Sequence, residues 1–151
     1  MSSSSEYRIW ELMLHRCENP KDKRYKDYGG RGITVCHQWH DFNSFYADMG
    51  ARPDGLTLDR IDNDKGYSPE NCRWATASEQ QLNRRKLKGS KSRFVGVTQR
   101  PSGRWSARIT VNYKDIYLGD YDTEEAASEA YQKAKKRVLE EFELMRKQRG
   151  L

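Results

Sequence analysis

Residues 94–121, FVGVTQRPSGRWSARITVNYKDIYLGDY, contain three strand-like runs in succession: FVGVTQ, RWSARITV and KDIYLGDY. PSG joins the first two, and the polar pair Asn112 and Tyr113 joins the last two. Alternation by twos gives the middle run two faces. Arg104, Ser106, Arg108 and Thr110 point one way, and Trp105, Ala107, Ile109 and Val111 the other. The following segment, DTEEAASEAYQKAKKRVLEEF, has helical composition, with Asp122 and Glu125 at capping-box spacing. Ala127, Ala130, Tyr131, Ala134 and Val138 share one face of that helix, and small alanines let it lie close to a sheet. The expected result is a three-stranded antiparallel sheet packed on one helix, with Trp105 in the core.

Just before this region, residues 84–93 (RRKLKGSKSR) carry six basic residues and no acidic one. The run reads as a linker whose charge suits a path along phosphates, each contact releasing counterions. A solvated tether is the plainer alternative. Across 151 residues, 28 Lys plus Arg against 22 Asp plus Glu leave a formal charge of +6, which favours a polyanionic partner. With 35% hydrophobic residues, the length suits two small modules. No apolar run approaches the roughly 20 residues of a membrane helix, so no membrane partner is expected. Three cysteines are too few for a disulfide framework, and MSSSSEYRIW lacks the apolar core of a secretory signal. A cytoplasmic protein with reduced thiols is expected, in the host cytoplasm if the chain is phage-encoded.

Upstream of the linker, residues 6–17 (EYRIWELMLHRC) space Ile9, Leu12 and Met13 as in an amphipathic helix, and a second apolar stretch runs from Phe42 to Met49. Between them, DYGGRGITVCHQW reads as a glycine-rich turn entering a strand at Ile33, Thr34 and Val35. LTLDRI at 56–61 reads as a strand, GYSPEN as a turn, CRWAT as a second strand and ASEQQLNRRK as a helix.

The segment TLDRIDNDKGYSPENCRWATASEQQLNRRK resembles the HNH nuclease motif, a strand pair and helix around one metal ion. With YGGRGITVC and DMGARPDG upstream, the resemblance covers residues from about 7 to 85 and is closest to phage-borne and homing endonucleases. It implies a metal-dependent DNA endonuclease. Asp59 would bind a divalent ion, Mg2+ or Mn2+, with Asn83 or Gln80 from the helix as the second protein ligand, Asn83 being preferred. Arg60 stands where most members carry a general-base histidine. Arginine cannot remove a proton near neutral pH, so Arg60 is expected to grip the scissile phosphate. Tyr28 would then activate or supply the nucleophile, with His37 and His40 as alternatives. Asn71 completes the catalytic set by holding the turn. One active site cuts one strand, so a homodimer would serve double-strand cleavage.

Cys17, Cys36 and Cys72 fall in elements that would surround one small core. They are candidate ligands of a structural Zn2+, with His40 as the fourth ligand and His15 and His37 as alternatives. Buried free thiols are the other interpretation.

Residues 93–142 resemble the plant ethylene-response-factor type of DNA-binding domain through FVGVTQRPSGRWSARI and IYLGDYDTEEAASEAY. The resemblance implies a sheet that reads double-stranded DNA, with Arg100, Arg104, Arg108 and Tyr117 at contact positions. Val95, Thr98 and Asp115 replace arginines of the family, so its GC-rich target is not carried over. The expected architecture is α+β: a small ββα-metal nuclease module at 1–83, a basic linker at 84–93, and the sheet-and-helix domain at 94–151. A non-catalytic DNA-binding regulator on a degenerate nuclease fold is the alternative function.

Overall fold

The computed structural model describes residues 4–86 and 88–151, so Leu87 of the expected linker lies outside the described residues. The protein is α+β and divides into two compact units, Met1–Thr76 and Ala77–Leu151. The boundary falls before the short helix expected to belong to the first module.

In the first unit, helix α1 spans Ser5–Glu18 and α2 spans Phe42–Met49. Ser4 caps α1 by accepting from the Tyr7 N–H, and Asp41 caps α2 through the Ser44 N–H. Strands β1 (Thr57–Arg60) and β2 (Cys72–Ala75) pair antiparallel, with Asp59 opposite Arg73. The strand expected at Ile33–Val35 is reduced to one parallel bridge between Val35 and Tyr67. Glycines impose this local shape: a Cβ at Gly29 would lie 2.0 Å from the Cys17 carbonyl oxygen, so the turn presses backbone on backbone.

Met13, Trp39 and Phe45 are fully buried at the centre of this unit, joined by Ile33, Leu58 and Trp74. Each of three indole N–H groups finds an acceptor. Trp10 donates to the Trp39 carbonyl at 2.7 Å, Trp39 to Asp48 at 2.7 Å, and Trp74 to the Met49 carbonyl at 2.8 Å.

The second unit opens with α3, Ala77–Leu82, shorter than the helix expected over 77–86. Strands β3 (Val97–Gln99), β4 (Trp105–Val111) and β5 (Lys114–Tyr121) form a sheet in the order β3-β4-β5. β3 begins later than the run FVGVTQ because Gly96 takes a φ of +72°, outside strand geometry. At the β4–β5 hairpin, Asn112 and Tyr113 both have positive φ, the geometry of a two-residue turn matching strand twist. A bulge between Ala107 and Arg108 lets Leu118 turn inward.

Helix α4 runs from Glu124 to Arg149. Its cap differs from the expected Asp122–Glu125 box: Thr123 accepts from the Ala126 N–H at 3.1 Å. Glu124 instead turns to the segment before β3. There it accepts from Ser92 Oγ at 2.8 Å, from Arg93 Nε at 3.0 Å and from the Arg93 backbone N–H. Ala107 and Ala127, both fully buried, sit in one cluster with Val97, as small side chains permit when a helix lies against a sheet. Leu82, Ile109 and Tyr131 form a neighbouring cluster, each burial contributing roughly 1.5–3 kcal/mol for side chains of this size. Among the described residues no helix is long and apolar enough to cross a membrane.

Candidate nucleic-acid interface

The sheet of the second unit has one covered and one open face. Ala107 and Ile109 of β4 are buried toward α4, with Trp105 half-buried beside them, whereas Arg104 and Arg108 are exposed. Arg100, at the turn after β3, and Tyr117, opposite Arg108 on β5, are exposed as well. Val95, in contrast, is packed among Leu82, Ile109 and Tyr131, so its place in the family pattern is occupied by core.

Every one of these arginines has an acidic neighbour. Arg100 Nε lies 2.9 Å from Asp120 Oδ1, and its guanidinium sits 5.7 Å from the centre of the Tyr117 ring. Arg104 donates to the Asp120 carbonyl at 2.9 Å and pairs with Asp122 at 3.4 Å. Arg108 pairs with Asp115 at 3.5 Å, and Thr110 donates to the same carboxylate at 2.6 Å. For Asp120, partial desolvation opposes ionisation, but the Arg100 hydrogen bond prevails and keeps its carboxyl below the ordinary range. These tethers extend the arginines over the sheet and reduce their loss of freedom on binding. Asp115 and Asp120 as arginine partners escaped the sequence reading. The hairpin register, which sets Ser106 opposite Asp120 and Thr110 opposite Asp115, is the signal that exposes them.

Of the residues expected to form a catalytic centre, Asp59 and Arg60 are both nearly buried in β1, and Gln80 and Asn83 lie in and just after α3. Asp59 Oδ2 lies 3.4 Å from Nε of its cross-strand partner Arg73. Arg60 donates through Nη1 to the carbonyls of Asn63 at 2.9 Å and Lys65 at 2.8 Å. Its guanidinium also lies over the rings of Tyr28 and Tyr67, 5.2 and 5.0 Å from their centres. Those bonds tie one guanidinium nitrogen of Arg60 into its own loop. Tyr28 stacks on Tyr67 at 6.5 Å beneath Arg16 and Arg60. Asn71 holds the same loop, accepting from the Asp62 N–H at 2.9 Å and donating to the carbonyls of Asp62 and Gly66.

The expected zinc ligands Cys17, Cys36 and Cys72 all lie in or against the core cluster of the first unit. Among the described residues no three His, Cys, Asp or Glu side chains form a group able to hold a metal. Burial pushes the Cys17 thiol up to about 11 and the Cys72 thiol up to about 12, and raises Cys36 as well. His40 turns to Glu18 at 2.6 Å, a hydrogen bond that raises its pKa. His15 lies 3.6 Å from Asp22, and the His37 ring is 6.2 Å from that of His40.

The comparisons fall mainly on the sheet unit. Residues 92–141 match the AP2 domain, a DNA-binding domain. The chain is 46% identical over 56 residues to ethylene-responsive transcription factor RAP2-11 of Arabidopsis thaliana, covering 36% of this chain and 22% of that protein. It is 49% identical over 47 residues to ethylene-responsive transcription factor ERN3 of Medicago truncatula, 30% of this chain and 20% of the relative. With ethylene-responsive transcription factor ERF117 of Arabidopsis thaliana it shares 36% identity over 84 residues, 54% of this chain and 24% of the relative. The chain thus spans about a fifth to a quarter of the length of these relatives. No solved structure matches it.

These findings overturn the endonuclease expected from the N-terminal resemblance, together with the hydrolase activity and the phage or homing role. The matched family is a DNA-binding domain, and the relatives are transcription factors, which are not enzymes. The cytoplasmic placement is overturned too, because plant transcription-factor relatives are consistent with a nuclear protein.

Proposed function

We propose that this chain is a DNA-binding transcription regulator whose C-terminal sheet lies in the major groove of double-stranded DNA. The observation that carries the proposal is the row of Arg100, Arg104 and Arg108 on the open side of a sheet whose other side is sealed by α4. Arginine can donate two parallel hydrogen bonds to guanine O6 and N7, and each good pair discriminates by about 1–3 kcal/mol. Tyr117 adds an exposed ring beside Arg100, suited to a thymine methyl or the sugar edge. The relatives named as transcription factors support a regulatory role in the nucleus. The homodimer expected as a means of cutting both strands loses its reason, since a regulator with one reading sheet has no such need.

Selection from a pool of randomised duplexes tests the proposal. A defined sequence should emerge, and changing Arg104 and Arg108 together to alanine should weaken binding to it by at least about tenfold. Unchanged affinity in that variant overturns the assignment of the sheet. Supercoiled plasmid incubated with the protein and Mg2+ should be retarded but intact, and nicked or linear product overturns a purely regulatory role.

A further inference from the structure

The second unit carries a groove of about 300 Å³ bordered by the segment after α3 and by the sheet. Arg84, Arg85, Lys86, Thr98 and Arg108 line it, and Leu82 contributes apolar surface. β3 is an edge strand, so this side of the sheet has no further strand beside it. No carboxylate lines the groove among the described residues.

The charges in the groove differ from those on the reading face. Arg100, Arg104 and Arg108 are each held by an aspartate. The side chains of Arg84, Arg85 and Lys86 make no ion pair or hydrogen bond among the described residues, and all three are exposed. An anion arriving at the face must compete with Asp115 or Asp120. One arriving at the groove meets three cations with no internal competitor, and it releases counterions as it binds.

We propose that this groove takes the sugar-phosphate backbone of the DNA whose bases the sheet faces, a role that rests on the sheet being a DNA interface. Arg84, Arg85 and Lys86 neutralise phosphates, and Arg108 stands where groove and face meet. The consequence is a division of labour. The groove supplies affinity common to all sequences, and the tethered arginines supply the preference among them.

The full chain with Arg84→Ala, Arg85→Ala and Lys86→Ala tests this by fluorescence anisotropy on the selected duplex and on an unrelated one, from about 50 to 300 mM potassium chloride. The slope of log affinity against log salt should become shallower by up to about 0.9 for each phosphate that is no longer neutralised. Affinity should fall by the same factor on both duplexes, leaving their ratio intact. The three side chains are exposed, so the thermal midpoint should stay that of the unsubstituted chain. Unchanged affinity and slope, with the Arg104→Ala, Arg108→Ala variant still impaired, overturns the groove and leaves the sheet standing. Loss confined to the selected duplex also overturns it, because a base-reading site was removed. If the unsubstituted chain binds neither duplex, or prefers single-stranded RNA to both, the reading of the sheet fails along with the groove.

Discussion

Glu79 on α3 and Arg146 near the end of α4, 67 positions apart, meet in a two-pronged ion pair, Nε to Oε1 at 2.7 Å and Nη2 to Oε2 at 3.0 Å. Glu79 is only 2% exposed. Beside it, Ser78 Oγ donates to Asn112 Oδ1 at 2.9 Å and accepts from the Asn112 N–H at 3.0 Å, so one short helix is fastened to both the hairpin and the long helix. Glu79→Ala leaves Arg146 without its carboxylate and should cost about 2–3 kcal/mol, below the range for fully enclosed pairs because Arg146 keeps some contact with water. Urea unfolding monitored by circular dichroism measures it, and a midpoint unchanged from the parent rules out a supporting role for the pair.

Gly96 should tolerate no side chain. A Cβ there would lie 2.2 Å from the Tyr131 ring and 2.7 Å from the Arg108 carbonyl, at a φ of +72°. Gly96→Ala combines backbone strain on the order of 1 kcal/mol with overpacking of about 1–3 kcal/mol. The variant should lose several degrees of thermal stability together with DNA binding. A variant as stable as the parent would show that Tyr131 moves aside without penalty.

Acid should loosen the second unit through Glu124. Burial opposes its ionisation, but hydrogen bonds from Arg93 and Ser92 prevail and hold its carboxyl below the ordinary 4.5. A lowered folded-state value means that the contribution is complete above about pH 4.5 and fades as pH falls through the folded value. Glu124→Gln should therefore be less stable than the parent near neutral pH, with the gap narrowing below pH 4.5. A gap that stays constant through that window removes the carboxylate as its source.

Asp115 faces the same side as Arg108 and takes part of its charge. Asp115→Asn frees the guanidinium and removes a negative group from the path of phosphate. Affinity for unrelated duplexes should rise a few-fold, matching about 1 kcal/mol for an exposed pair. Competition binding reads this directly, and weaker binding confined to the selected duplex would mean that the carboxylate itself accepts from a base.

The buried thiols offer a test of zinc. With Cys17 near 11 and Cys72 near 12, both are protonated at neutral pH and should react slowly with iodoacetamide in the folded chain. A zinc ion joining Cys17, Cys36 and Cys72 would have to displace those protons and draw the side chains together. Slow alkylation unaffected by a chelator is the expected result. Near one equivalent of zinc by elemental analysis, with thiols that become reactive on chelation, would reverse it.

Much of the sheet unit was legible because its signals are local. Period-two alternation in RWSARITV set Ala107 and Ile109 inward and Arg104 and Arg108 outward, and the alanines of α4 marked its buried face. The Asn112–Tyr113 pair marked the hairpin. Motif order carries the candidate catalytic set, and it does not reveal that Arg60 Nη1 donates to the carbonyls of Asn63 and Lys65.

By itself the sequence determined the succession of three strands and one helix in the sheet unit, and which side of β4 carries the arginines, because those follow from chain geometry and side-chain type within a few positions. Only the tertiary structure decided that α3 joins the sheet unit, that aspartates hold the reading arginines and that Glu124 ties down Arg93. Each of these depends on groups far apart in the chain being brought within hydrogen-bond distance, and no local pattern encodes that meeting.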